Sequence, residues 1–139
     1  MHQDLDIPNA SDVRFAQSNL AGLVHNTPLM SSALLTERAN VKQLLFKCEN
    51  LQRTGSFKAR GATNAILQLS TDTSFSVATH SSGNHGAALS AAAKLRGIKA
   101  HIVIPKNAPE IKKMATRAYG AEITECDVSL KDREQALSY

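Results

Sequence analysis

The sequence predicts an α/β fold, a parallel sheet with flanking helices in three layers. From Phe75 onward, short apolar runs alternate with helical periods in the order strand, helix, strand, helix, strand, helix. The connections are short, which favours parallel strands joined by helical crossovers. Apolar residues make up 42% and charged residues 20% of the 139 residues, a balance that fits one folded domain and excludes a fully disordered chain. Aromatics are only 4% and Trp is absent, so the core must be built mainly from Ala, Leu, Ile and Val.

Each element has its own signal. Ser11-Asp12 reads as a helix N-cap, with a helix over 13–23. Thr27-Pro28 breaks the chain, and 34–39 has the length of a short helix. The apolar run 43–48 reads as a strand. After Gly55 the period changes: Ala59, Ala62, Ile66 and Leu69 fall on one helix face. A Ser/Thr cluster around Asp72 precedes a strand at 75–79. Residues 84–96 are Ala-rich and helical, and Gly97 is a suitable stop. The strand at 99–104 ends at Pro105. Ala108-Pro109-Glu110 opens a helix whose apolar stripe is Ile111, Met114, Ala115 and Ala118, with Gly120 at its end. Residues 121–126 form the last strand, and Ser129 caps a final helix.

The charge and cysteine pattern narrows the function. The net charge is +4, and Lys94, Arg96, Lys99, Lys106, Lys112, Lys113 and Arg117 stand against Glu110 alone. These basic residues are not interleaved with stacking aromatics, so a solvated face or a small-anion site is expected rather than nucleic acid. Cys48 and Cys126 are far apart, with no CxxC spacing, so buried free thiols are expected and no metal site. No window approaches the roughly 20 apolar residues of a membrane span. The acidic start Met1-His2-Gln3-Asp4-Leu5-Asp6 does not resemble a secretory signal, and a cytoplasmic protein is expected.

Two segments carry chemistry. In Thr54-Gly55-Ser56-Phe57-Lys58-Ala59-Arg60-Gly61, a lysine stands at the first turn of a helix, where the dipole favours anions. Lys58 is either a side chain that simply points to water or an amine nucleophile toward a carbonyl compound, its pKa lowered by the positive helix end. The second segment, His80-Ser81-Ser82-Gly83-Asn84-His85-Gly86, follows a strand and opens a helix. Gly83 and Gly86 permit close backbone approach, and the helix start suits a carboxylate or phosphate. An ordinary polar turn, capped by Asn84 or a serine, accounts for the loop equally well. It is neither a dinucleotide fingerprint nor a P-loop.

Together these segments resemble the serine racemase and serine/threonine dehydratase family, fold-type II pyridoxal-phosphate enzymes. The likeness runs through Asp12-Val13, Thr27-Pro28, Phe46-Lys47-Cys48-Glu49, Ser56-Phe57-Lys58, the 80–86 loop and Ala118-Tyr119-Gly120-Ala121. The resemblance implies pyridoxal 5'-phosphate as cofactor, with Lys58 bound to it and then serving as base at the substrate Cα. It implies that Phe57 packs beside the cofactor ring and that Asn84 bonds its hydroxyl. Ser81, Ser82, Gly83 and His85 would hold the substrate carboxylate. Ser82 would also exchange a proton on the face opposite Lys58, as in the racemases, where threonine dehydratases typically carry Ala. Arg133 matches an arginine of a mobile loop that approaches substrate. The implied substrate is a small hydroxy amino acid, and the implied full-length enzyme is a homodimer that takes a divalent cation, Mg or Ca.

Some positions depart from the animal racemase pattern. Ala87 replaces Gln, and Arg14 and Ala33 replace an acidic residue and a serine of the nucleotide site, while Thr54 and Tyr119 are retained. In family terms, residues 1–70 are the amino-terminal start of the large domain and 71–139 most of the small one. The phosphate-binding glycine loop, the acidic metal ligands and the serine beside the pyridine nitrogen are absent from this sequence. The expectation is a truncated racemase or dehydratase, inactive alone. Its alternatives are a non-catalytic chain that associates with a partner such as the full-length enzyme, and an anion- or nucleotide-binding α/β module.

Overall fold

The computed structural model describes residues 7–69, 75–81, 83–127 and 129–137. The first helix, α1 (Ala10–Asn19), is capped by Asn9 rather than by Ser11-Asp12. Asn9 Oδ1 accepts from the Ser11 amide at 2.7 Å, and Asp12 Oδ2 accepts from the Asn9 amide at 2.7 Å. The pair forms a reciprocal capping box, with Asp12 at the third helical position. The helix ends at Asn19, short of the expected 23.

A small antiparallel sheet follows. β1 (Leu29–Ser31) pairs with β2 (Leu45–Lys47), placing Leu29 opposite Lys47 and Ser31 opposite Leu45. The expected strand at 43–48 is therefore shorter, and its partner gave no sequence signal beyond the Thr27-Pro28 break. α2 (Ala33–Arg38) lies between them, with Ser32 as its cap.

Two short 3₁₀ turns, Glu49–Leu51 and Arg53–Gly55, lead into α3 (Lys58–Leu67). A polar network fixes this approach. Arg60 grips Glu49 in bidentate fashion, Nη2 to Oε1 at 2.7 Å and Nε to Oε2 at 2.8 Å. Thr27 Oγ1 donates to Glu49 Oε1 at 2.6 Å, and Lys47 Nζ donates to the Thr27 carbonyl at 2.6 Å. Buried Gln52 bonds both backbone groups of His25. The bonds from Arg60 hold the Glu49 carboxyl at about 2, against the opposing effect of burial.

The larger sheet matches the predicted α/β order. β3 (Ser76–His80), β4 (Lys99–Pro105) and β5 (Glu122–Cys126) are parallel, with β4 in the middle. Their crossovers are α4 (Asn84–Leu95) and α5 (Glu110–Ala118), and α6 (Leu130–Leu137) follows β5. Alternation along β4 divides its side chains between two faces. Ala100, Ile102 and Ile104 join Ala88, Leu89, Ala92 and Ala93 of α4 and Ala62 and Ile66 of α3 in one core. Val103, fully buried, lies outside that cluster on the other face. α6 packs across all three strands and α4 packs against α5, which gives helix, sheet, helix. The small residues of α4 let it lie close to the sheet: a Cβ on Gly86 would stand 3.0 Å from Ile102 Cγ2.

α5 buries its polar face and not its apolar stripe. Its apolar stripe faces outward, with Ile111 70% and Met114 57% exposed and Ala115 and Ala118 also exposed. Lys113 and Thr116 are the buried residues of the helix. Polar partners explain this burial. Lys113 Nζ reaches Glu125 Oε1 at 2.9 Å and the Lys106 carbonyl at 3.0 Å, and Thr116 Oγ1 bonds the Lys112 carbonyl at 3.0 Å. The inward face is thus satisfied without apolar groups. Leu69, expected on the buried face of α3, lies past the end of that helix and is 38% exposed. Cys126 is buried and Cys48 half-buried, and the two are not joined in a disulfide.

Candidate functional site

The parallel ladder carries β3 one step past its end, where the Ser81 amide donates to the Val103 carbonyl at 2.9 Å. The Ser81 hydroxyl then turns inward, accepting from the Gly83 amide at 3.2 Å and the Gly86 amide at 3.0 Å. Neither glycine amide is therefore free for a ligand. The donors of this helix start left open among the described residues are the amides of Asn84 and His85, its first two positions, which have no intrahelical partner. Gly83 is the N-cap and makes no side-chain cap bond, so Ser81 does the capping from two residues upstream. Gly83 is extended, so its backbone does not demand glycine. A Cβ there would lie 3.1 Å from Lys112 Nζ, so a side chain would push aside the end of that lysine.

Lys58 is the first residue of α3 and is exposed. Its Nζ lies 5.1 Å from the centroid of the Phe57 ring, which is 59% exposed. The backbone just before it is unusual, with Thr54 at φ 62° and Gly55 at φ 72°. Thr54 Oγ1 and Ser56 Oγ are buried and have no hydrogen-bond partner among the described residues. His85 is half-buried, and burial lowers its pKa, followed by the charges of Lys58 and His80.

Lys58, His80 and His85 thus share one electropositive site, with Phe57 beside the amine and Asn84 exposed at the head of α4. Ser82 lies outside the described residues, and Arg133 lies on α6, on the opposite face of the sheet from α4. Thr54 and Tyr119 both line a separate cleft with His25 and Ala88. Sequence reasoning gave no separate role to His80 and took Lys112 only as one of the basic residues of a solvated face or small-anion site. His80 stood within the quoted loop segment. Lys112 carried the same signal that drew attention to Lys58, a lysine in the first turn of a helix. Among the described residues no group of three His, Cys, Asp or Glu side chains could hold a metal, and no helix is long and apolar enough to cross a membrane.

Residues 20–138 match the family model described as pyridoxal-phosphate dependent enzyme. Serine racemase of Mus musculus is 51% identical over 129 residues, covering 90% of this chain and 38% of that protein. A beta-hydroxyaspartate dehydratase of Paracoccus denitrificans is 45% identical over 133 residues, 95% of this chain and 42% of that one. Maize serine racemase superposes with a TM-score of 0.86 at 46% identity, over 94% of this chain and 40% of that chain. The threonine deaminase of T.th. superposes at 0.81 with 41% identity, over 94% and 41%. The chain spans about two-fifths of the length of these relatives.

Proposed function

Because this chain belongs to the family of pyridoxal-phosphate dependent enzymes, with fold-type II relatives, we propose that it carries the lysine-bearing part of a serine racemase or serine/threonine dehydratase site. The observation that supports this most is the closeness of the two motifs: the Lys58 charge reaches His85 on the loop that opens α4. The residues fit the carbonyl end of the cofactor. They offer an exposed amine at Lys58, an exposed ring at Phe57, an exposed amide at Asn84 and an unpartnered buried hydroxyl at Ser56. The divalent cation of the full-length family has no ligand cluster among the described residues.

When bound, the cofactor supplies an electron sink for the negative charge that develops at the substrate Cα. The residues have the remaining work. The Asn84 and His85 amides and the positive end of α4 hold the carboxylate. His85, whose pKa burial lowers, places its imidazole beside that carboxylate. Lys58 Nζ removes the Cα proton from one face, and Ser82 Oγ returns one on the other face for racemisation. Loss of the β-hydroxyl needs only the first of these bases, so racemisation and elimination compete for the same substrate. Asn84 bonds the cofactor hydroxyl and Phe57 covers the ring.

Incubation with pyridoxal phosphate, borohydride reduction and peptide mapping tests the assignment. Label is expected on Lys58, and Lys58→Ala abolishes it. Label spread evenly over the surface lysines sinks the reading. The outward stripe of α5 favours a second reading, a chain that associates with a partner such as the full-length enzyme, which co-purification of the two chains tests.

A further inference from the structure

β3 and β4 are parallel neighbours, so their carboxyl ends and the helices that follow open at one edge of the sheet. Lys112, the third residue of α5, uses that proximity. Its exposed side chain crosses to the loop before α4. There Nζ, Cδ and Cε lie 3.1, 3.5 and 3.7 Å from where a Cβ on Gly83 would stand. Neither nearby acid is available to it. Glu110 is held by Arg117 at 2.8 Å and Glu125 by Lys113 at 2.9 Å. A cation in the first turn of a helix opposes the dipole. Lys112 opposes two, that of α5 and that of α4, whose N-cap is Gly83. Lys58 and His80 bear on the same loop through His85. Two positive helix ends and an ammonium group therefore converge with no countercharge between them among the described residues.

We propose that Lys112 is a further carboxylate-binding residue of this site, the countercharge to the substrate carboxylate held at the Asn84 and His85 amides. The assignment rests on the reading of the 81–86 loop as the carboxylate site. A lysine suits the position because it brings a point charge on a flexible stem that follows the carboxylate as it docks. Gly83 is the complement, since a side chain there would displace the ammonium.

The test uses the ¹⁵N-labelled chain with malonate at fixed ionic strength. The amides of residues 83–86 are expected to shift saturably. Lys112→Gln should raise the dissociation constant about tenfold, equivalent to ~1.4 kcal/mol, and Lys112→Arg should recover most of that loss. Lys99→Gln, at the other end of β4, should change it less than about twofold. Gly83→Ala should weaken binding in the native chain but add little to Lys112→Gln, as for residues that share one interaction. Mass-spectrometric acetylation rates give a second readout that does not depend on particle size: malonate should protect Lys112 and leave Lys99 unprotected. Equal affinity with and without Lys112 overturns the assignment. Equal loss in Lys99→Gln overturns it too, as does the absence of both saturable shifts and protection. Borohydride capture at Lys58 is scored separately. Its failure with malonate binding intact removes the functional reading and leaves Lys112 standing.

Discussion

Glu49 is the residue whose environment is most strongly altered, and it stands eleven residues before the arginine that holds it. Its carboxyl is held at about 2, below the ordinary 4.5, first by the bonds from Arg60. The ionised form therefore stabilises the fold. That contribution is complete above the unfolded value and is lost as pH falls toward about 2. Urea midpoints should drop between pH 5 and pH 3, and Glu49→Gln should flatten that drop and cost about 1–3 kcal/mol at pH 7. For Ser82 the proposed racemase role sets the expected result. Ser82→Ala should suppress interconversion of L- and D-serine by ~10²–10⁴ and spare pyruvate formation, while equal loss of both activities would reduce Ser82 to a carboxylate ligand. Lys58 stood out in the sequence as a first-turn lysine opposed by the helix dipole, a local signal that fits a side chain pointing to water as well, and its proposed role comes from the joint resemblance of the two motifs. The place of His80, and of Lys112 within its basic stretch, was not singled out, because it depends on which strands are neighbours and in what register.

At the scale of elements, α5 separates what a periodic pattern contains from what it omits. The stripe of Ile111, Met114, Ala115 and Ala118 correctly marks a helix, but periodicity does not say which face meets the sheet. Buried bonds from Lys113 decided that. Lys113→Ala should cost about 1–3 kcal/mol in denaturant unfolding, whereas Met114→Lys should stay within about 0.5 kcal/mol. The reverse ranking would mean that the stripe is the packed face. Asn9→Ala should cost about 1 kcal/mol, because it opens the capping box of α1. β1 was illegible for a simpler reason: three residues are too few for alternation to register.

For the whole molecule, the β-α-β-α-β-α order was legible because short connections leave few topologies open. The distribution of apolar surface was only partly legible. Phe15, Leu29, Met30, Phe46, Leu51 and Phe57 are exposed by 42–61%, in the first half of the chain. Exposed apolar groups of this size favour association. Sedimentation should therefore report species larger than the monomer, more so at higher concentration. Purified monomer given L-serine and pyridoxal phosphate is expected to form neither pyruvate nor D-serine. Turnover that Lys58→Ala removes would show the rest of the relatives' length to be dispensable.

The Glu49–Arg60 clamp has a consequence for how the chain breathes. It ties the turn before α3 to the first turn of that helix, so the segment bearing Lys58 cannot fray alone as helix ends usually do. Amide protons of Ala59 and Arg60 should exchange with deuterium together with that of Gln52, as one cooperative opening. Acid that neutralises Glu49 would release all three at once, while the amides of β4 stay protected.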